Sequence, residues 1–110
     1  MGYDLHVTRA DHWASSSGCE ISVDAWQKLI AGDPHLRVDG ENGPHAVVWL
    51  NVSGASRGWF DWHGGAVYTT NPDRETVRKL LAMAQLLDAR VQGDEGEFYE
   101  KAEDWQQQAP

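Results

Sequence analysis

The sequence predicts an α+β domain, a mainly antiparallel sheet of about five strands with two helices packed on one face. Three observations point to it. Apolar residues recur at helical spacing in two segments, 23–30 and 77–87. Between them lies a meander of short apolar and aromatic runs separated by Gly-, Asn- and Pro-rich turns. Extended segments also precede the first helix and follow the second.

Tyr3, Leu5 and Val7 alternate with Asp4, His6 and Thr8, the two-residue period of a half-buried strand. Residues 9–20 are rich in Ser and Gly and read as a loop, with Trp13 expected to tuck under it as an anchor. Ser22 is placed to cap the first helix, and Ile21 and Trp26 have the spacing of a hydrophobic staple. Ala25 stands where a capping box would place Glu, so the box is incomplete. Val23, Trp26, Leu29 and Ile30 form the stripe, Gly32 ends the helix and Pro34 blocks its continuation.

Leu36-Arg37-Val38 reads as a brief edge strand and residues 39–44 as a turn-forming loop. Residues 46–50 are continuously apolar, the pattern of a central strand covered on both faces. Residues 53–58 read as a flexible connection. Runs 59–62 and 66–69 flank His63-Gly64-Gly65, a hairpin signal because glycine supplies the positive φ of such turns.

The second helix is the most strongly patterned element. Asn71 reads as its N-cap and Pro72 as its first residue, with Asp73 and Glu75 favoured by the dipole. Val77, Leu80, Leu81, Ala84 and Leu87 form its stripe with Met83 on the flank, while Leu86 points away. Residues 89–92 extend again, Gly93-Asp94-Glu95-Gly96 turns, and Glu97-Phe98-Tyr99 extends once more. The passage from 66–69 through this helix to 89–92 suits a parallel, right-handed crossover. One domain is expected over residues 1–99, followed by a polar tail, 100–110, that frays unless Trp105 docks on the body.

Length and composition set bounds. A chain of 110 residues, 41% hydrophobic, can build a core without disulfides or metal. No apolar run reaches the roughly 18 residues of a membrane span. The opening MGYDLHVTRA has no apolar signal core, and His6 stands where a myristoylation signal needs Ser or Thr. Cys19 is the only cysteine, which suits a reducing cytoplasm. A net charge of −8 argues against nucleic acid as a partner. It either keeps the chain dissolved or steers it onto a basic protein.

The opening YDLHVTR, the junction NPDRET and the closing ARVQGDEGEFY resemble a family of short uncharacterised bacterial proteins. The similarity spreads over most of the chain. It implies one small cytoplasmic domain and carries over no functional residue.

Six tryptophans are the first candidates for a site. Phe60 and Trp62 share one strand face and Trp59 and Asp61 the other, so the rings serve either the core or a binding surface. Asp61 and His63 stand at i and i+2, the relation of a carboxylate orienting an imidazole, unless the following glycines break the strand. His6, His12, His35, His45 and His63 are scattered without zinc spacing, so no metal is assigned. A composite of Asp11, His12 and Cys19 with another histidine would be invisible at this level. Glu20 beside Cys19 disfavours a thiolate nucleophile. Asp94, Glu95 and Glu97 make an acidic turn without calcium-loop spacing, and no nucleophile elbow, P-loop or dinucleotide fingerprint occurs.

These features favour a non-enzymatic protein-binding module, an immunity- or antitoxin-like inhibitor of a basic partner, acting through Trp59, Trp62, Asp94, Glu95 and Glu97. The alternative is a small-molecule-binding or hydrolytic domain with an aromatic pocket of Trp49, Asp61, His63 and Tyr68. A third is a structural homo-oligomer joined through a sheet edge or Leu86. No catalytic residue, metal or cofactor is assigned.

Overall fold

The computed structural model describes residues 2–15 and 18–105. In chain order they form β1 (Asp4–Thr8), a 3-10 turn (Trp13–Ser15), α1 (Val23–Ala31), β2 (Leu36–Val38), β3 (Val47–Leu50) and β4 (Ser56–His63). Then come β5 (Ala66–Thr70), α2 (Arg74–Leu86), β6 (Arg90–Gly93), β7 (Phe98–Tyr99) and a second 3-10 turn (Ala102–Asp104). The strands form one antiparallel sheet in the order β2-β3-β4-β5-β1-β6-β7. The α+β class is as expected, with seven strands rather than about five. The edge strands β2 and β7 have only three and two residues, too few for a clear period.

The register gathers the apolar side chains on one face. Trp62, Val67, Val7 and Val91 form a continuous cross-strand row, and Val47 opposes Phe60 nearby. Both helices cover this face. Trp26 of α1 and Val77, Leu80 and Met83 of α2 join those strand residues in one core. Each such side chain withdrawn from water contributes roughly 1.5–3 kcal/mol. Lys79 of α2 pairs with Asp33, just past α1, and ties the helices together. Burial works to raise the Asp33 pKa, but the Lys79 ammonium and the His35 N–H together outweigh it and hold the carboxyl below its usual range.

α1 begins as its sequence indicates. The Ser22 side chain accepts the Ala25 N–H, and Ile21 and Trp26 are both fully buried as a staple. α2 begins two residues later than expected. Its N-cap is Asp73, whose Oδ1 accepts the Thr76 N–H at 2.8 Å and the Thr76 hydroxyl at 2.7 Å. Asn71 instead takes a positive φ of 47° and uses its side chain to accept the Tyr3 N–H. Asparagine tolerates that left-handed turn better than most residues, which frees the next acidic side chain to cap. Asp73→Ala should therefore cost about 1 kcal/mol in a urea titration. An unchanged midpoint would remove the cap assignment.

Two further expectations are corrected, and the expected parallel direction of the passage from β5 through α2 to β6 is found. Residues 56–58 belong to β4 rather than to a loose connection. Gly58 is there because α2 passes close, a Cβ standing only 3.3 Å from the Thr76 hydroxyl oxygen. β3 is not covered on both faces. Val47 is buried, whereas Val48, Trp49 and Leu50 are half-buried, because β3 lies beside an edge strand. Finally, β5 and β6 run in the same direction but are not paired, since β1 lies between them and pairs antiparallel with both. The buried backbone of β1 needs partners on both sides, and this insertion supplies them.

The hairpin is tighter than the sequence suggests. His63 opposes Ala66, which leaves only Gly64 and Gly65 in the loop, at φ 59° and 90°. Two successive positive φ values are what a two-residue hairpin turn requires.

Indole N–H groups pin distant segments. Trp26 donates to the His45 carbonyl at 2.9 Å, Trp62 to that of Ile21 at 2.7 Å and Trp105 to that of Pro72 at 2.7 Å. Large apolar rings with one polar handle suit this task. Trp105 is 2% exposed and packs against Tyr3 and Tyr99, so the packed body extends past residue 99 to at least residue 105. Residues 106–110 of the expected tail lie outside the described residues. No described helix is long and apolar enough to cross a membrane.

Candidate functional site

The sheet face opposite the helices carries the polar chemistry. Asp61, Tyr68, His6 and Gln92 form a cross-strand row over β4, β5, β1 and β6, because each strand turns alternate residues outward. Trp59 opposes Val48 one step along, and Asp4 opposes Thr70. This face divides into an open cleft and a covered part.

The cleft has a volume of about 370 Å³ and is lined by Trp59, Asp61, Tyr68 and Val48, with Asp39 and Asn42 from the loop after β2. Trp59 is 40% exposed and meets Tyr68 edge-on at 5.6 Å between ring centres. Burial raises the Tyr68 pKa, and the charges of Asp61 and Asp4 raise it further, so the phenol stays a neutral donor. Among the described residues no Lys or Arg pairs with Asp39 or Asp61. Elsewhere two accessible rings already hold cations: Arg57 lies over the half-buried Trp49 at 5.7 Å and Arg90 over the exposed Phe98 at 4.1 Å. Trp59 has no such cover among the described residues.

The covered part is β1 under the segment that follows it. The Trp13 ring lies flat on His6, 3.9 Å away and 2° from parallel, confirming Trp13 as the loop's anchor. Gln92 holds that segment down. Its Oε1 accepts the Trp13 N–H at 2.7 Å, and its Nε2 donates to the carbonyls of Asp11 and Gly96. Trp13 Nε1 also donates to the Asp94 carbonyl at 3.3 Å. Beneath the ring, His6 Nε2 meets Asp94 Oδ1 at 2.8 Å, and Asp94 Oδ2 accepts the Asp4 N–H at 2.9 Å. Ligand atoms of Asp4, His6 and Asp94 all lie within 4.8 Å of one another, the one group of metal-binding type among the described residues. Asp11, His12 and Cys19 do not join it.

The acidic turn does not present three free carboxylates. Glu95 is exposed, Asp94 is bound to β1, and Glu97 points inward. Glu97 Oε2 accepts the hydroxyls of Tyr99, at 2.8 Å, and of Tyr3. Burial works to raise its pKa, but these hydrogen bonds outweigh it and hold the carboxyl below its usual range. Burial and the Glu97 hydrogen bond together push the Tyr3 phenol up to about 12, and the Tyr99 phenol rises for the same reasons. The Glu97 carboxylate lies over Gly93, where any Cβ would overlap it.

Of the other candidates, Trp62 faces the core, Trp49 lies on the helix side beneath Arg57, and His63 is exposed at the hairpin end. Among the described residues Asp61 and His63 share no hydrogen bond. Thus Trp59, Asp61 and Tyr68 converge on the cleft, while Trp49, Trp62, His63 and Glu97 do not. Asp39 and Asn42 were not singled out from sequence, and their signal was only a polar turn. Comparison with protein-family models, curated proteins and solved structures yields no match.

Proposed function

We propose that this chain is a non-enzymatic protein-binding module whose cleft receives a basic side chain of a protein partner. The observation that carries this reading is the pairing of two carboxylates, Asp39 and Asp61, that no described cation neutralises with an exposed indole that no described cation covers. A guanidinium or ammonium over an aromatic face gains about 0.5–2 kcal/mol, and adjacent carboxylates strengthen and steer it. The net charge of −8 acts in the same direction. The exposed, unpaired Cys19 suits a reducing compartment, and we place the protein in the cytoplasm on that basis.

The test is affinity capture of the partner, followed by titration with variants. Trp59→Ala and Asp61→Asn should each weaken binding about tenfold or more, and raising salt from 50 to 500 mM should weaken the wild type further. Equal affinity in both variants would refute the cleft as the site. A small cationic ligand is the second reading, favoured by a volume within the range of ligand pockets. It predicts saturable binding of an organic amine with no protein captured.

A further inference from the structure

We propose that Asp4, His6 and Asp94 form a binding site for a divalent transition-metal ion, distinct from the cleft and independent of the partner-binding reading. Three observations carry it. His6 is 6% exposed and its Nε2 is aimed at the carboxylates, with the ring orientation set by the flat stack on Trp13. Asp4 Oδ1 accepts the Thr70 hydroxyl at 2.6 Å, while among the described residues Oδ2 accepts nothing. No Lys or Arg among the described residues pairs with Asp4 or Asp94, although their oxygens lie within 4.8 Å of His6 and of each other.

The donor set decides the ion. One imidazole nitrogen with carboxylate oxygens suits zinc, manganese or iron(II). It offers too few oxygens for calcium, which takes about 6–8. Ligands at about 2.0–2.2 Å from an ion stand roughly 3.0–3.4 Å apart, so the three groups close around it by turning a carboxylate, with β1 and β6 in place. The supporting contacts already exist. Thr70 holds Asp4, the Asp4 N–H holds Asp94, and the Trp13 ring fixes His6, as outer partners do in metal sites. The ion takes the Nε2 lone pair in place of the contact with Asp94, and the neutral ring carries its proton on Nδ1, so binding changes the tautomer and no proton is lost.

Zinc chloride titrated calorimetrically into the metal-free protein tests this, with circular dichroism as the check on folding. The expected result is one equivalent bound per chain. Asp4→Asn keeps the acceptor for Thr70 and should remain folded while weakening zinc about tenfold or more. His6→Gln should abolish the site, and Asp4→Asn carries the test alone if His6→Gln does not fold. No binding at 1 mM zinc would overturn the proposal. So would equal affinity in Asp4→Asn, or binding removed by His63→Gln at the exposed hairpin end.

Discussion

Trp105→Ala should lower stability by about 3–5 kcal/mol, the usual cost of emptying a buried tryptophan site. The ring is almost wholly enclosed between Tyr3 and Tyr99, and its N–H is the donor that holds the Pro72 carbonyl at the entrance to α2. Removing it leaves a cavity at the junction of β1, β7 and α2 and strips that carbonyl of its partner. A domain this size carries about 5–15 kcal/mol in total, so about a fifth or more of its margin is at stake. The melting temperature should fall by more than about 10 °C. Trp105→Phe, which keeps most of the apolar volume, should lose much less. A cost below about 1 kcal/mol for the alanine variant would mean that residues 100–105 are a dispensable tail after all.

Glu97→Ala comes next, at about 3 kcal/mol near neutral pH. It removes the acceptor for two phenols and opens space above Gly93. Its pH dependence follows from the sign of the shift. A carboxyl held below its unfolded pKa stabilises the fold above that unfolded value, about 4.3 for glutamate, and the gain disappears as pH falls through the lower folded value. The difference between wild type and Glu97→Ala should therefore be widest above about pH 5 and shrink below about pH 4. Asp33 and Asp73 are depressed in the same way and should steepen the acid loss in both proteins alike. A gap that stayed constant with pH would refute the charged hydrogen-bond account. The same variant separates two roles for Glu97. A partner-facing carboxylate would weaken binding with little loss of stability, whereas the inward position predicts the reverse.

The helices and their stripes were legible because their information is local. Ser22 with Ile21 and Trp26, and Val77, Leu80 and Ala84, announce themselves within a few turns of chain. Leu86, expected to point away, is 77% exposed. The division of Phe60 and Trp62 from Trp59 and Asp61 also followed from the two-residue strand period. What did not follow was which of the two faces meets water. Four tryptophan indoles were already committed to distant carbonyls, and no local pattern marks them apart from Trp59. The cap at Asp73 was misread because Asn71 is an equally good capping residue until the turn beneath Tyr3 claims it.

Composition and periodicity by themselves determined the α+β class, the approximate positions of both helices, a glycine hairpin between 62 and 66 and the net charge of −8. The tertiary structure alone decided that β1 would insert between β5 and β6. That single pairing places Asp4 and His6 beside Asp94, and Tyr3 beside Glu97, across some ninety residues of chain. It turns an acidic surface turn into one buried carboxylate, one strand clamp and one solvated charge. Strand register is a long-range choice, made by burying Leu5 and Val7 while satisfying the backbone on both sides of β1. The side chains on the opposite face have their neighbours assigned by that choice.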